Sequence, residues 1–148
     1  MIQGFGDLNL SLTLAAVGSA LGTGVAGMAA VGAWKKAFLQ NKAAAFSLVA
    51  FVGAPLTQTI YGMILRNQII AAKLPADPQI YTYLMILGLA AGLAIGTSAY
   101  MQGKAAAKAC DALGETGKGF GQYIIVLGII ETVALFVMVF CMMAIPKV

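Results

Sequence analysis

Glu131 is the residue whose chemistry most needs an explanation, because it is the only charge in an apolar segment that runs from Gly121 to Pro146. It lies thirteen positions after Lys118 and fourteen before Ile145, which at about 1.5 Å rise per residue is near mid-depth of a membrane helix. An acid at that depth costs ~2.5–3.5 kcal/mol on translocon-type scales. It therefore needs a partner, a proton or a bound cation.

A second polar group stands in the run Ala54-Pro-Leu-Thr-Gln-Thr-Ile-Tyr61. Pro55 has no N–H and loosens carbonyl oxygens of the turn before it. Thr57 and Gln58 follow at once, and Tyr61 falls four residues after Thr57 on the same helix face. If Gln58 and Glu131 meet where two helices adjoin, a carboxylate, an amide, a hydroxyl and a carbonyl form a hard oxygen cage. Such a cage suits a dehydrated alkali cation rather than a soft metal. Na⁺ is the candidate, with a proton on Glu131 as the simpler alternative. Thr and Gln in membrane helices also serve as interhelical hydrogen-bonding groups, and proline as a kink. An isolated mid-membrane carboxylate has no comparable structural use.

The elements that carry these residues belong to a membrane. The chain is 61% hydrophobic and 9% charged, against roughly 25% charged in an ordinary soluble domain. There is no histidine, which excludes imidazole-dependent catalysis and imidazole metal ligation. Cys110 and Cys141 fall in an inner connector and in the last apolar segment, and read as free thiols without a metal or redox role. The net charge of +4 comes from lysines near helix ends, where they report orientation rather than nucleic-acid binding. Gly96-Thr-Ser and Gly103-Lys104 lack the spacing of a phosphate-binding loop. No cofactor is expected.

Residues 1–9 carry no basic n-region or obvious cleavage signal, so the first helix is expected to be retained. It is predicted from Leu10 to Ala33, with Gly18, Gly22 and Ala26 spaced by four on a face that lets backbones approach. Lys35, Lys36 and Lys42 fill a connector before a second apolar run from Ala44 to Leu65. Arg66 and Lys73 follow, then the turn KLPADPQ, where Pro75 and Pro78 forbid helix continuation and Asp77 suits a cap. The third helix is predicted from Gln79. It carries Gly88, Gly92 and Gly96 and passes through Gln102, Gly103 and Lys104 into a polar connector, ahead of the fourth helix.

Pairing Gly18-Ser-Ala-Leu-Gly-Thr with Gly92-Leu-Ala-Ile-Gly-Thr gives an offset of 74, and pairing Gln58 with Glu131 gives 73. The chain thus reads as one all-α membrane domain, 1–148, of four transmembrane helices in two tandem hairpins, 10–66 and 79–146. The hairpin connectors hold six of the nine basic residues, which places them in the cytoplasm and both termini outside. Asp7, Asp77, Asp111 and Glu115 are expected at water.

These features together resemble the double-hairpin rotor-ring proteolipid of V-type (V/A-type) rotary ATPases, the c or K subunit. The resemblance rests on the duplication, the glycine-spaced first and third helices, Glu131 on the fourth helix alone, and Pro55-Leu-Thr57-Gln58-Thr-Ile-Tyr61-Gly62 on the second. The last pattern is similar to the bacterial Na⁺-transporting branch. By that likeness the Ala54 carbonyl, Thr57, Gln58, Gln102 and Glu131 ligate Na⁺, and Tyr61 hydrogen-bonds the ionised glutamate.

The resemblance further implies a closed homo-oligomeric ring of identical subunits in a bacterial cell membrane, surrounded by lipid. Central-stalk subunits would sit at the cytoplasmic loops. A stator membrane subunit with an arginine would loosen each ion as ATP hydrolysis elsewhere turns the ring. The chain itself would not be an enzyme. A proton-carrying proteolipid of the same family is the near alternative. The distant one is a small four-helix multidrug exporter, whose essential glutamate belongs on the first helix and whose pocket should be aromatic; here the single tryptophan, Trp34, lies at a helix end.

Overall fold

A computed structural model describes residues 6–147. Among them there are only helices: α1 (Leu10–Leu39), α2 (Leu48–Gly53), a 3-10 turn (Ala54–Leu56), α3 (Thr57–Ala71), α4 (Pro78–Thr116) and α5 (Phe120–Met143). α2, the turn and α3 run on as one span, so four helices are long and apolar enough to cross a membrane. The 3-10 turn falls at Pro55, where the missing N–H removes one bond of the α-helical ladder.

Three predicted boundaries need correction. The second run, expected from Ala44 to Leu65, is helical from Leu48 to Ala71 and takes in Arg66. α1 continues past Ala33 to Leu39 and takes Lys35 and Lys36 into the helix. The stretch after Lys104, expected as a polar connector, is helical to Thr116. Its composition, Lys-Ala-Ala-Ala-Lys-Ala-Cys-Asp-Ala-Leu, is rich in strong helix formers. Its buried face, Ala106, Ala109, Cys110 and Leu113, packs on Ala26, Ala30 and Leu48 of the first hairpin. Cys110 is consequently buried in a helix rather than placed in a loop; both cysteines are free. At 39 residues, α4 is about 58 Å long, well beyond the ~30 Å hydrocarbon layer. It starts on Pro78 with Asp77 as its cap, the carboxylate accepting the N–H groups of Gln79 at 2.7 Å and Ile80 at 3.3 Å. It ends at Gly117 in the left-handed conformation, φ +66°.

α1 and α4 lie side by side and parallel, and glycine decides how closely. A Cβ built on Gly18 would fall on the backbone of Gly96, and one on Gly103 would fall on the backbone of Gly22. α3 runs antiparallel to α1, with Gly62 against Ser11, Leu12 and Ala15. α5 runs antiparallel to α4, with Tyr83 bonded to the Ala144 carbonyl at one end and Gln102 to the Leu127 carbonyl further along. Small residues are needed here because lipid offers no hydrophobic drive for helix association, leaving close packing and hydrogen bonds to hold the bundle.

The buried apolar residues form two clusters, one around Phe51, Leu48 and Leu127, the other around Leu65, Ile95 and Met138. Gln58 and Gln102, both fully buried, lie on the same spans between them. Outward-facing positions carry large apolar side chains such as Met28, Ile129 and Phe140. One expectation about the acids fails. Asp7 is fully buried, its carboxylate accepting the N–H groups of Asn9 at 3.1 Å and Ser11 at 2.9 Å beneath Gly88. A tight left-handed turn through Leu8 and Asn9 folds it inward, and Arg66 holds the turn by donating to Asn9 Oδ1 at 2.7 Å. Asp77 and Asp111 are exposed, and Glu115 pairs with Lys36 at the exposed far end, 2.7 Å apart.

The α1/α4 contact yields a direct test. Gly103→Leu drives a side chain into the Gly22 backbone, which cannot rotate aside, so it should cost more than the ~1–3 kcal/mol of ordinary overpacking. Gly32→Ala, with nothing within 4 Å of its Cβ, should be neutral or stabilising by up to ~1 kcal/mol. Thermal unfolding of the detergent-extracted protein should separate the two.

Candidate functional site

A layer of polar side chains crosses the bundle at the level of Glu131. Thr57 Oγ donates toward the Ala54 carbonyl at 3.0 Å and lies 3.2 Å from Gln58 Oε1. Gln58 Nε2 donates to Gln102 Oε1 at 2.8 Å. Gln102 Nε2 in turn donates to the Leu127 carbonyl at 2.9 Å and to Glu131 Oε2 at 3.3 Å. Tyr61 donates its phenol to Glu131 Oε1 at 2.6 Å. Thr57 has a single hydroxyl proton to share between the Ala54 carbonyl and Gln58 Oε1; from Gln58 the bonds run through Gln102 to the carboxylate and back to α3 through Tyr61.

Each member is placed by its helix. Pro55 is buried at the 3-10 turn, and its Cβ meets the face of Gly22 on α1. The turn brings the Ala54 carbonyl within reach of Thr57, one turn on. Thr57 and Tyr61 follow four residues apart, so the phenol and hydroxyl project from one face of α3. Gln102 reaches this layer because α4 continues past Lys104 and buries it fully. Glu131 is the twelfth of the 24 residues of α5, half-buried, at the open end of the network.

Gln58 and Glu131 share a layer, but they do not bond each other directly. Gln102 stands between them, its oxygen facing one and its nitrogen the other. The arrangement holds one carboxylate and no positive partner for it among the described residues, where the only ion pair is Lys36–Glu115. Hydrogen bonds from a phenol and an amide supply what satisfaction it has. Those described residues also hold no cluster of three or more His, Cys, Asp or Glu side chains. Glu131 is thus met by a phenol O–H and an amide N–H, while the oxygens of Ala54, Thr57, Gln58 and Gln102 lie further along the same layer.

Two contributors had no clear signal in the sequence. Ser98, one turn before Gln102 on α4, donates to the Ile130 carbonyl at 2.9 Å and ties α4 to α5 next to Glu131. Its spacing of four from Gln102 was readable, but nothing in the chain specified its partner. The Leu127 carbonyl, which orients the Gln102 amide, is a backbone atom that every residue carries.

Residues 77–144 match the family model of the ATP synthase C subunit. This stretch of the chain is similar to that protein. The matched region takes in α4 and α5, and with them Gln102, Ser98 and Glu131, while the first hairpin lies outside it. No curated protein matches the chain. The family is the ion-carrying, non-catalytic membrane proteolipid of rotary ATPases, which forms rings of identical subunits alongside other subunits of the machine. The match covers less than half of the chain, the second hairpin, which carries the one acid at mid-span of an apolar helix.

Gln102 joins the two hairpins, so its removal should be felt as stability. Gln102→Leu leaves the Gln58 amide, the Leu127 carbonyl's second lone pair and one Glu131 oxygen without that partner. Each unpaired buried group costs about 1–3 kcal/mol. Thr97→Val removes an exposed hydroxyl that bonds only its own helix and should stay within about 0.5 kcal/mol. Thermal unfolding of the extracted protein should rank them in that order.

Proposed function

We propose that this chain is the rotor-ring proteolipid of a V-type rotary ATPase and that Glu131 carries Na⁺. The observation that supports this best is one polar layer in which Thr57 lies between the Ala54 carbonyl and Gln58 Oε1, Gln58 bonds Gln102, and Gln102 and Tyr61 bond Glu131. The Ala54 carbonyl, Thr57 Oγ, Gln58 Oε1, Gln102 Oε1 and a Glu131 oxygen would ligate the ion, and Tyr61 would hold the carboxylate toward it.

The mechanism follows from charge. With Na⁺ bound, the site is neutral and can travel through lipid; emptied, it leaves an unpaired carboxylate at mid-depth, which lipid penalises. Ion exchange is then confined to places where water or a cation meets Glu131. A stator arginine would provide the positive charge that loosens the ion at one half-channel. Moving one charge against 100 mV costs ~2.3 kcal/mol, so the work has to come from ATP hydrolysed elsewhere in the machine. Identical copies would form the ring, the central stalk would bear on the hairpin connectors, and the lysine distribution favours those connectors facing the cytoplasm.

Competition at the carboxylate tests the reading. A carbodiimide modifies the protonated acid, so a cation that binds only the ionised form lowers the reactive fraction. Added Na⁺ should slow labelling of Glu131, and K⁺, too large for the cage, should protect much less. Labelling that follows pH alone and ignores Na⁺ would make Glu131 a proton carrier with Thr57 and Gln58 as hydrogen-bond partners. Glu131→Gln should abolish ion transport while the extracted assembly keeps its mass at a multiple of 15.2 kDa.

A further inference from the structure

Beyond the network, one polar group in the same layer has no partner. Ser19 on α1 is 2% exposed, and its hydroxyl makes no hydrogen bond. Hydroxyls in these helices usually bond back to a carbonyl of their own helix, as Thr13, Thr23, Thr97 and Thr116 do. Ser19 does not, and a buried hydroxyl left alone is costly enough to require a reason.

Its position supplies one. One turn before Ser19, Ala15 meets Gly62 of α3; three residues after it, Gly22 meets Pro55 and Ala99. α1 and α3 are antiparallel, so the buried α3 residue between those two contacts, Gln58, lies level with Ser19. Gln58 is itself fully buried and spends its amide nitrogen on Gln102 Oε1. That bond conflicts with ion binding. A cation that gathers the oxygens of both glutamines draws Gln102 Oε1 away from Gln58 Nε2 and repels the amide hydrogens. The Gln58 nitrogen is then buried without an acceptor.

We propose that Ser19 is a positioning residue of the ion site, its unpartnered hydroxyl accepting the Gln58 amide when Gln58 and Gln102 both turn their oxygens to Na⁺. The hydroxyl proton goes to the carbonyl four residues back, as it does for the threonines of these helices. The idle hydroxyl beside the network is thus the acceptor that the ion-loaded arrangement lacks. The inference rests on the Na⁺ reading of Glu131 and adds to it a residue from the first helix.

The test is a Na⁺ titration of carbodiimide labelling at Glu131 in the intact extracted ring, comparing the unsubstituted chain with Ser19→Ala and Ser19→Cys. The cysteine fills the position with a somewhat larger, weaker acceptor, so it guards against a cavity in the alanine variant. Both should raise the half-protecting Na⁺ concentration about tenfold, equivalent to about 1.4 kcal/mol, while labelling in Na⁺-free buffer still follows the ionisation of Glu131. A purely structural role would lower thermal stability without moving the Na⁺ midpoint. An unchanged midpoint in both variants, with protection intact in the unsubstituted chain, overturns the Ser19 role alone. No Na⁺ protection in the unsubstituted chain overturns the Na⁺ reading and the Ser19 role with it.

Discussion

An acid halfway along an apolar helix has no water to satisfy it, and the fold is arranged around that constraint. Glu131 takes a phenol from α3 and an amide from α4, so its two oxygens are shared between the hairpins. The amide is itself held by a backbone carbonyl of α5 and by the amide of Gln58. Removing water from this layer strengthens each of these bonds and makes each missing one expensive. The polar layer is thereby specified as tightly as the apolar clusters that flank it.

Close backbone packing makes the layer possible. Glycines at 18, 22, 96 and 103 let α1 and α4 touch along their length, and this sets the register of the two hairpins. With that register, Phe51 meets Phe120 and Tyr123 below the site, and Tyr61 meets Glu131 within it. A one-turn slip of about 5.4 Å would take the phenol out of reach of the carboxylate. Helix packing and the satisfaction of the buried acid are therefore the same problem in this chain.

Asymmetry between the repeats gives the site its character. In the pairing of the two hairpins read from the sequence, Gln58 stands opposite Glu131, an amide where the second hairpin has the charge. This neutral residue is a link in the network, bonded to Gln102 rather than to the acid. Two carboxylates in one layer would repel and would hold a proton between them; an amide avoids that and still presents an oxygen.

Much of this was legible in the residues themselves. Hydrophobic runs interrupted by lysines and prolines marked four spans, glycine spacing marked the contact faces, and a lone mid-span acid marked the site, because each is a local pattern with a local physical cause. The extent of α4 was less legible. Lys104 and Lys108 looked like the start of a connector, yet their alanine-rich neighbours favour helix and find a buried face on α1 and α2. Asp7 looked like a solvated terminal acid until a left-handed turn folded it beneath Gly88. Gln102 as the bridge between Gln58 and Glu131, Ser98 as a tie between α4 and α5, and Ser19 as an idle hydroxyl in that layer all depend on which helices adjoin and at what register. Sequence determines which groups need partners; only the packed bundle decides which partners lie within 3 Å or so.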